Sequence, residues 1–190
     1  RLSGYLPRTK FLQTFGTSET GIVKTKSLSS SSTFLTIDDP LVEWKVVDNE
    51  LWLKSKAQIS GYINIDEEAI SDGWFKTGDL LEMRDAAYFK IIGRKKEVIN
   101  VGGEKVLPAE IEDLLMTLEK VVDCTAFSVP NGITGQSVGV KVVPERGADL
   151  KCLKKEIRFF SRTHLESFKV PVKIMFESEL KHTERFKKER

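Results

Sequence analysis

The side chains best placed for chemistry lie in three short stretches: FGTSETG (Phe15 to Gly21), GWFKTGDL (Gly73 to Leu80) and GRKKEVINVGGEKVLPAEIE (Gly93 to Glu112). In the first, Gly16 lets the backbone approach a ligand closely, Thr17 and Ser18 offer hydroxyls, and Glu19 offers a hard carboxylate oxygen of the kind Mg²⁺ prefers. A plain surface loop accounts for the same residues. In the second, Asp79 closes a Thr77-Gly78 turn, where a carboxylate can accept hydrogen bonds from two neighbouring sugar hydroxyls. An Asx-type turn with no ligand is the competing reading. The third stretch runs from a basic turn through Val98, Ile99 and Val101, a β-branched strand, to Gly102-Gly103 and a helix start. That glycine pair can take φ > 0 and let a ligand pass near the backbone, or can simply turn the chain.

The elements that must position these residues follow from patterning. Val42 to Ser55 holds two half-alternating runs around Asp48-Asn49-Glu50, which predicts a hairpin, and Ser27 to Thr33 reads as a polar loop. Tyr88 to Ile92 predicts a strand that delivers the chain to Gly93-Arg94. Pro108 suits a first helical turn, Glu110 and Glu112 put negative charge near its positive end, and Ile111, Leu114, Leu115 and Leu118 share one face. Val121–Val129 and Ser137–Val143 predict two strands around Pro130-Asn131-Gly132. A helix over Leu150–Phe160, with Leu153, Ile157 and Phe160 inward, and a strand over Val172–Phe176 complete a compact α+β unit. The exposed polar segment Lys95-Lys96-Glu97 is where a domain boundary belongs.

Composition narrows the partners. Thirty Lys and Arg against 28 Asp and Glu leave a net charge of +2, too small to predict a nucleic-acid or membrane surface. An apolar fraction of 40% is enough for a core, and no apolar run reaches the ~18 residues of a membrane span. No signal-peptide pattern opens the chain, so a cytoplasmic protein is expected. Cys124 and Cys152 lack CxxC spacing and His164 and His182 are scattered, which argues against a zinc site or a disulfide framework.

Taken in order, the three stretches resemble the acyl-adenylate-forming ligase superfamily, which includes acyl- and aryl-CoA synthetases, luciferases and peptide-synthetase adenylation domains. The resemblance implies an α+β chain whose residues 1–94 are the β-rich end of a large adenylate-forming domain and whose residues 95–190 are a small mobile C-terminal domain. It implies ATP/AMP, Mg²⁺ and coenzyme A as ligands and a small carboxylic acid as substrate. Residue by residue, it places Phe15 and Gly16 against adenine, Ser18 at a phosphate, Glu19 on the metal, Asp79 on ribose and Arg94 as a second ribose or phosphate contact. Lys96 falls at the hinge, and Gly102 and Gly103 fall beside the pantetheine arm in the thioester-forming pose. The family's glycine-rich phosphate loop does not occur in this sequence, so these residues alone are expected to be inactive.

The tail departs from the pattern. The resemblance implies a Thr-x-x-Gly-Lys ending whose lysine reaches the acyl carboxylate and phosphate; here Thr183 to Lys187 keep the spacing, with Phe186 in place of glycine. Lys187 could act from an altered loop, Arg185 or Lys188 could replace it, or adenylation could be slow or absent. A carrier-protein phosphopantetheine in place of coenzyme A, and a non-catalytic relative that binds nucleotide or a partner protein, are the alternative functions.

Overall fold

Asp48 and Asn49 both adopt left-handed backbone, with φ of 51° and 62°, and form the two-residue loop between β5 (Val42–Val47) and β6 (Glu50–Ser55) in the computed structural model. A loop with positive φ at both positions matches the twist of the strands it joins. The register pairs Val47 with Glu50. Glu50, expected in the turn, is therefore the first residue of a strand. The structure describes residues 14–17, 20–29, 32–55, 70–85 and 87–180, and the chain divides between Lys95 and Lys96 into two compact units.

The first unit holds β1 (Phe15–Thr17), β2 (Gly21–Val23), β3 (Thr25–Ser27), β4 (Leu35–Ile37), the β5–β6 hairpin, β7 (Ile70–Ser71), β8 (Trp74–Arg84) and β9 (Tyr88–Arg94). Strands β1 and β2 pair alone; the others form one sheet in the order β3-β4-β9-β8-β6-β5, with β7 also on β8. Alternation along β6 and β8 turns Leu51, Leu53, Phe75 and Leu81 inward, where they join Val23, Leu35 and Phe89 as buried side chains. Trp44 tilts against Phe89 with ring centroids 5.2 Å apart.

Thr77-Gly78 was expected to be a tight turn; instead β8 runs straight through it with a bulge. Lys76 pairs with Trp52, yet Leu80 pairs with Glu50, so Thr77, Gly78 and Asp79 face a single residue of β6. Gly78 takes φ +73° within this bulge, a conformation that L side chains rarely adopt.

The second unit contains β10 (Ile99–Val101), β11 (Glu104–Val106), α1 (Pro108–Leu115), β12 (Val121–Asn131), β13 (Gly135–Pro144), α2 (Leu150–His164) and β14 (Lys173–Phe176). Its sheet runs β11-β10-β13-β12, and β14 adds in parallel to β13. Ile111 and Leu115 of α1 and Leu153 and Ile157 of α2 are fully buried with Val138, Val140 and Val142. Leu118 packs on this core from beyond the end of α1, and Phe160 is partly buried. Val98 precedes β10 and lies outside it.

The glycine pair does not lead straight into the helix. It closes a hairpin between β10 and β11, in which Val101 pairs with Glu104. Three residues of which Val106 alone is buried carry too little alternation for β11 to be predicted.

Candidate functional site

Strands β8 and β9 bring two of the expected site residues face to face. Asp79 and Arg94 are direct register partners, and Arg94 Nε donates to Asp79 Oδ1 at 2.8 Å. Arg94 Nη1 also donates to the carbonyl of Thr77 at 2.8 Å, so the planar guanidinium grips both ends of the bulge. The Asp79 side chain is 5% exposed and that of Arg94 is 44% exposed. The pair presents a guanidinium edge to solvent with its counter-charge fixed behind it, an arrangement suited to neutral or anionic oxygen ligands such as sugar hydroxyls and phosphate.

The bulge is held from the other side by β6. Thr77 Oγ1 donates to the carbonyl of Leu51 at 2.8 Å and accepts from the Asp79 N–H at 3.0 Å. Glu50 Oε1 accepts the Gly78 N–H at 3.0 Å, and Glu50 Oε2 accepts from Lys95 Nζ at 2.8 Å. The hydrogen bond and the charge of Glu50 raise the Lys95 ammonium above its ordinary range, more than its slight desolvation lowers it. Sequence reasoning placed Glu50 in a turn and missed this role. The available signal was the Asp48-Asn49 pair, which by itself suffices for a two-residue loop and pushes Glu50 into the strand.

Other expected residues fall elsewhere. Phe15 is 8% exposed and packs in the core of the first unit. The backbone of Gly16 is exposed, and a Cβ added there would meet the Gly21 carbonyl oxygen at 2.9 Å. Lys96 is exposed in a 3₁₀ turn, Lys95–Glu97. In the second unit, Gly102 (φ +62°) donates its N–H to Thr134 O at 3.0 Å, and Gly103 (φ +97°) donates to Asn100 Oδ1 at 2.9 Å. Asn100 N–H in turn donates to Gln136 Oε1 at 2.8 Å, so side chains pin this glycine tip.

Ser18, Glu19, Phe186 and Lys187, with their neighbours Arg185 and Lys188, lie outside the described residues. Among the described residues, no three His, Cys, Asp or Glu side chains gather into a cation site, and no helix is long and apolar enough to cross a membrane. Cys124 is buried, Cys152 is exposed, and both are free thiols.

Residues 110–187 match the model of the AMP-binding enzyme C-terminal domain. These residues belong to the AMP-binding enzyme C-terminal domain family, and the curated relatives of the chain are acyl-CoA ligases. It is 36% identical over 137 residues to a long-chain-fatty-acid–CoA ligase of Haemophilus influenzae, an alignment covering 70% of this chain and 24% of that protein. Among solved structures it resembles the amide bond synthetase McbA of Marinactinospora thermotolerans, with TM-score 0.78, 24% identity, 93% of this chain and 40% of that one. It also resembles the o-succinylbenzoate CoA synthetase of Bacillus subtilis, solved with its acyl-adenylate intermediate, with TM-score 0.70, 20% identity, 80% of this chain and 34% of that one. At these identities the two structural matches carry the fold. The chain spans about a quarter of the length of the curated relative it matches. Among the described residues it is a mixed α+β chain, mostly sheet with two helices, which matches the C-terminal region of adenylate-forming enzymes.

Proposed function

We propose that this chain is the C-terminal part of an ATP-dependent acid–thiol ligase. The carboxylate of a fatty or aryl acid attacks the α-phosphorus of ATP, pyrophosphate leaves, and an acyl-adenylate results. The thiol of coenzyme A then attacks the acyl carbon and AMP leaves. The observation that carries this reading is the Asp79–Arg94 pair, closed across β8 and β9 just before the boundary between the two units. A carboxylate that accepts beside a guanidinium that donates suits a ribose diol and its neighbouring phosphate.

Within this reading, the Gly16 backbone lies along the adenine and Ser18 contacts phosphate. Lys96 is the point about which the second unit moves between the two half-reactions, and the Gly102-Gly103 tip borders the pantetheine arm. Mg²⁺ would have Glu19 as its protein ligand; it supplies charge neutralisation at the phosphates when bound. Lys187 offsets negative charge developing at the transferring centre, which predicts that Lys187→Ala slows adenylation far more than thioester formation. ATP and coenzyme A are both available in the cytoplasm, which is the location this reading adopts.

The test is acid-dependent exchange of labelled pyrophosphate into ATP by the full-length protein, across fatty, aryl and amino acids, followed by discharge to coenzyme A, an amine or a holo-carrier protein. Exchange with one acid class and discharge to coenzyme A is the expected outcome. Folded protein that binds ATP but exchanges with no acid would replace this reading with a non-catalytic one.

A further inference from the structure

Glu50 is a buried carboxylate at the start of an ordinary-looking strand, 4% exposed. Burying a charge is costly unless it is paired, and a well-packed apolar side chain commonly serves stability as well or better. Stability therefore does not by itself account for a carboxylate at this position. Its partners do. One oxygen holds the Gly78 N–H at 3.0 Å and the other holds Lys95 Nζ at 2.8 Å, so both acceptors are directed at residues of the candidate site rather than at the core.

The bulge that carries Asp79 is fixed at three points. Leu51 O holds the Thr77 hydroxyl, Glu50 holds the Gly78 N–H, and Arg94 holds Asp79 and the Thr77 carbonyl. Two of these points come from the first two residues of β6. Gly78, with φ +73°, is the residue whose backbone has the widest conformational choice, and Glu50 removes that choice. Arg94 and Lys95 are adjacent in sequence and tied to the same bulge from opposite sides, Arg94 directly and Lys95 through Glu50. Lys95 is also the last residue of the first unit.

We propose that Glu50 is a positioning residue for the nucleotide. A single buried carboxylate sets the bulge that aims Asp79 and Arg94 and, through Lys95, fixes the place where the chain leaves the first unit. This inference rests on the proposed ribose role of Asp79 and Arg94. Lys95 acts by neutralising Glu50; without that partner the carboxylate is left buried with one hydrogen bond, draws water or shifts, and releases Gly78.

The experiment uses the full-length protein and its pyrophosphate exchange, with calorimetric AMP binding as a second readout. Lys95→Met keeps the aliphatic stem and removes the charge; Glu50→Gln keeps an acceptor for Gly78 but turns N–H donors toward Lys95. Each is expected to raise the ATP KM and the AMP Kd about tenfold, the scale of one lost charge-assisted hydrogen bond, with the acid KM unchanged and the melting temperature lowered, because the buried pair loses a charge. Lys95→Arg, which can keep the ion pair, is expected to restore nucleotide affinity. Asp79→Asn separates the two ideas. If it weakens nucleotide binding while Lys95→Met and Glu50→Gln do not, the positioning role is overturned and the ribose reading stands. If Asp79→Asn has no effect either, both fall together. A loss of acid affinity as large as the loss of ATP affinity in Lys95→Met and Glu50→Gln would make Glu50 a structural residue only and would also overturn the proposal.

Discussion

Arg94 and Asp79 stand directly opposite each other across β9 and β8, and the arginine closes on the aspartate at 2.8 Å while also gripping the Thr77 carbonyl. Those two contacts diverge from one planar group. A lysine can reach either acceptor but cannot hold both in a fixed plane. Arg94→Lys should therefore weaken AMP binding by about tenfold or more in the full-length protein, while leaving the fold intact, because the Arg94 side chain is 44% exposed. Calorimetry of AMP binding checks it, and unchanged affinity would remove Arg94 from the nucleotide site.

Asp79 and Arg94 were each legible through the motifs in which they stand, and their pairing emerges only with the register of β8 on β9. The bulge was not legible. Nothing local separates a Thr-Gly turn from a Thr-Gly bulge; the choice is made by Glu50, 28 residues away, which captures the Gly78 N–H. Glu50 was hidden for a related reason, since an acid after Asp48-Asn49 reads as turn until the loop is known to need two residues only. In the second unit both helices were visible from their apolar spacing, whereas β11 is too short to show a period. Phe15, which the resemblance puts beside adenine, also opens a strand and packs in the core of the first unit, a placement its sequence neighbours alone do not reveal.

Gly139 lies directly opposite Phe127 in the β12–β13 pair. A Cβ at Gly139 would come within 2.7 Å of both Phe127 Cζ and Val129 Cγ2, closer than packed atoms tolerate. Gly139→Ala should cost about 1–3 kcal/mol through overpacking, read as a lowered urea midpoint. In a Phe127→Ala background the same substitution should cost less, because one of the two obstacles is gone. Equal costs in the two backgrounds would show that Val129, and not the ring, resists the side chain.

Asp149 caps α2. Its Oδ1 accepts the Lys151 N–H at 2.8 Å and the Cys152 N–H at 3.1 Å, satisfying two of the donors a helix start leaves open. Asp149→Ala should destabilise the second unit by about 1 kcal/mol and Asp149→Asn by less, since the amide oxygen can still accept. Hydrogen exchange at Lys151 and Cys152 is the direct measurement; unchanged protection in Asp149→Ala would mean that packing of Leu153 and Ile157 alone fixes the helix start.

Lys169 joins two elements of the second unit, donating to Glu110 at the start of α1 and to Glu166, both at 2.8 Å. Its side chain is 16% exposed. Burial lowers its pKa, but the hydrogen bonds and charges of Glu110 and Glu166 outweigh that, and the ammonium sits above its ordinary 10.5. A cation whose folded pKa is raised contributes stability that is fully present below the unfolded value and is lost as pH rises through the folded one. Lys169→Met keeps the stem and removes the charge, so at about pH 8 it should cost roughly 1 kcal/mol, the size expected when both carboxylates are partly exposed. As pH rises above 10.5 and through the raised folded value, the gap between wild type and variant should close, as wild type loses its own ammonium. Urea midpoints of the two proteins across this range decide the matter: a gap that stays constant would assign the difference to how the methionine itself packs at this site rather than to the lost charge.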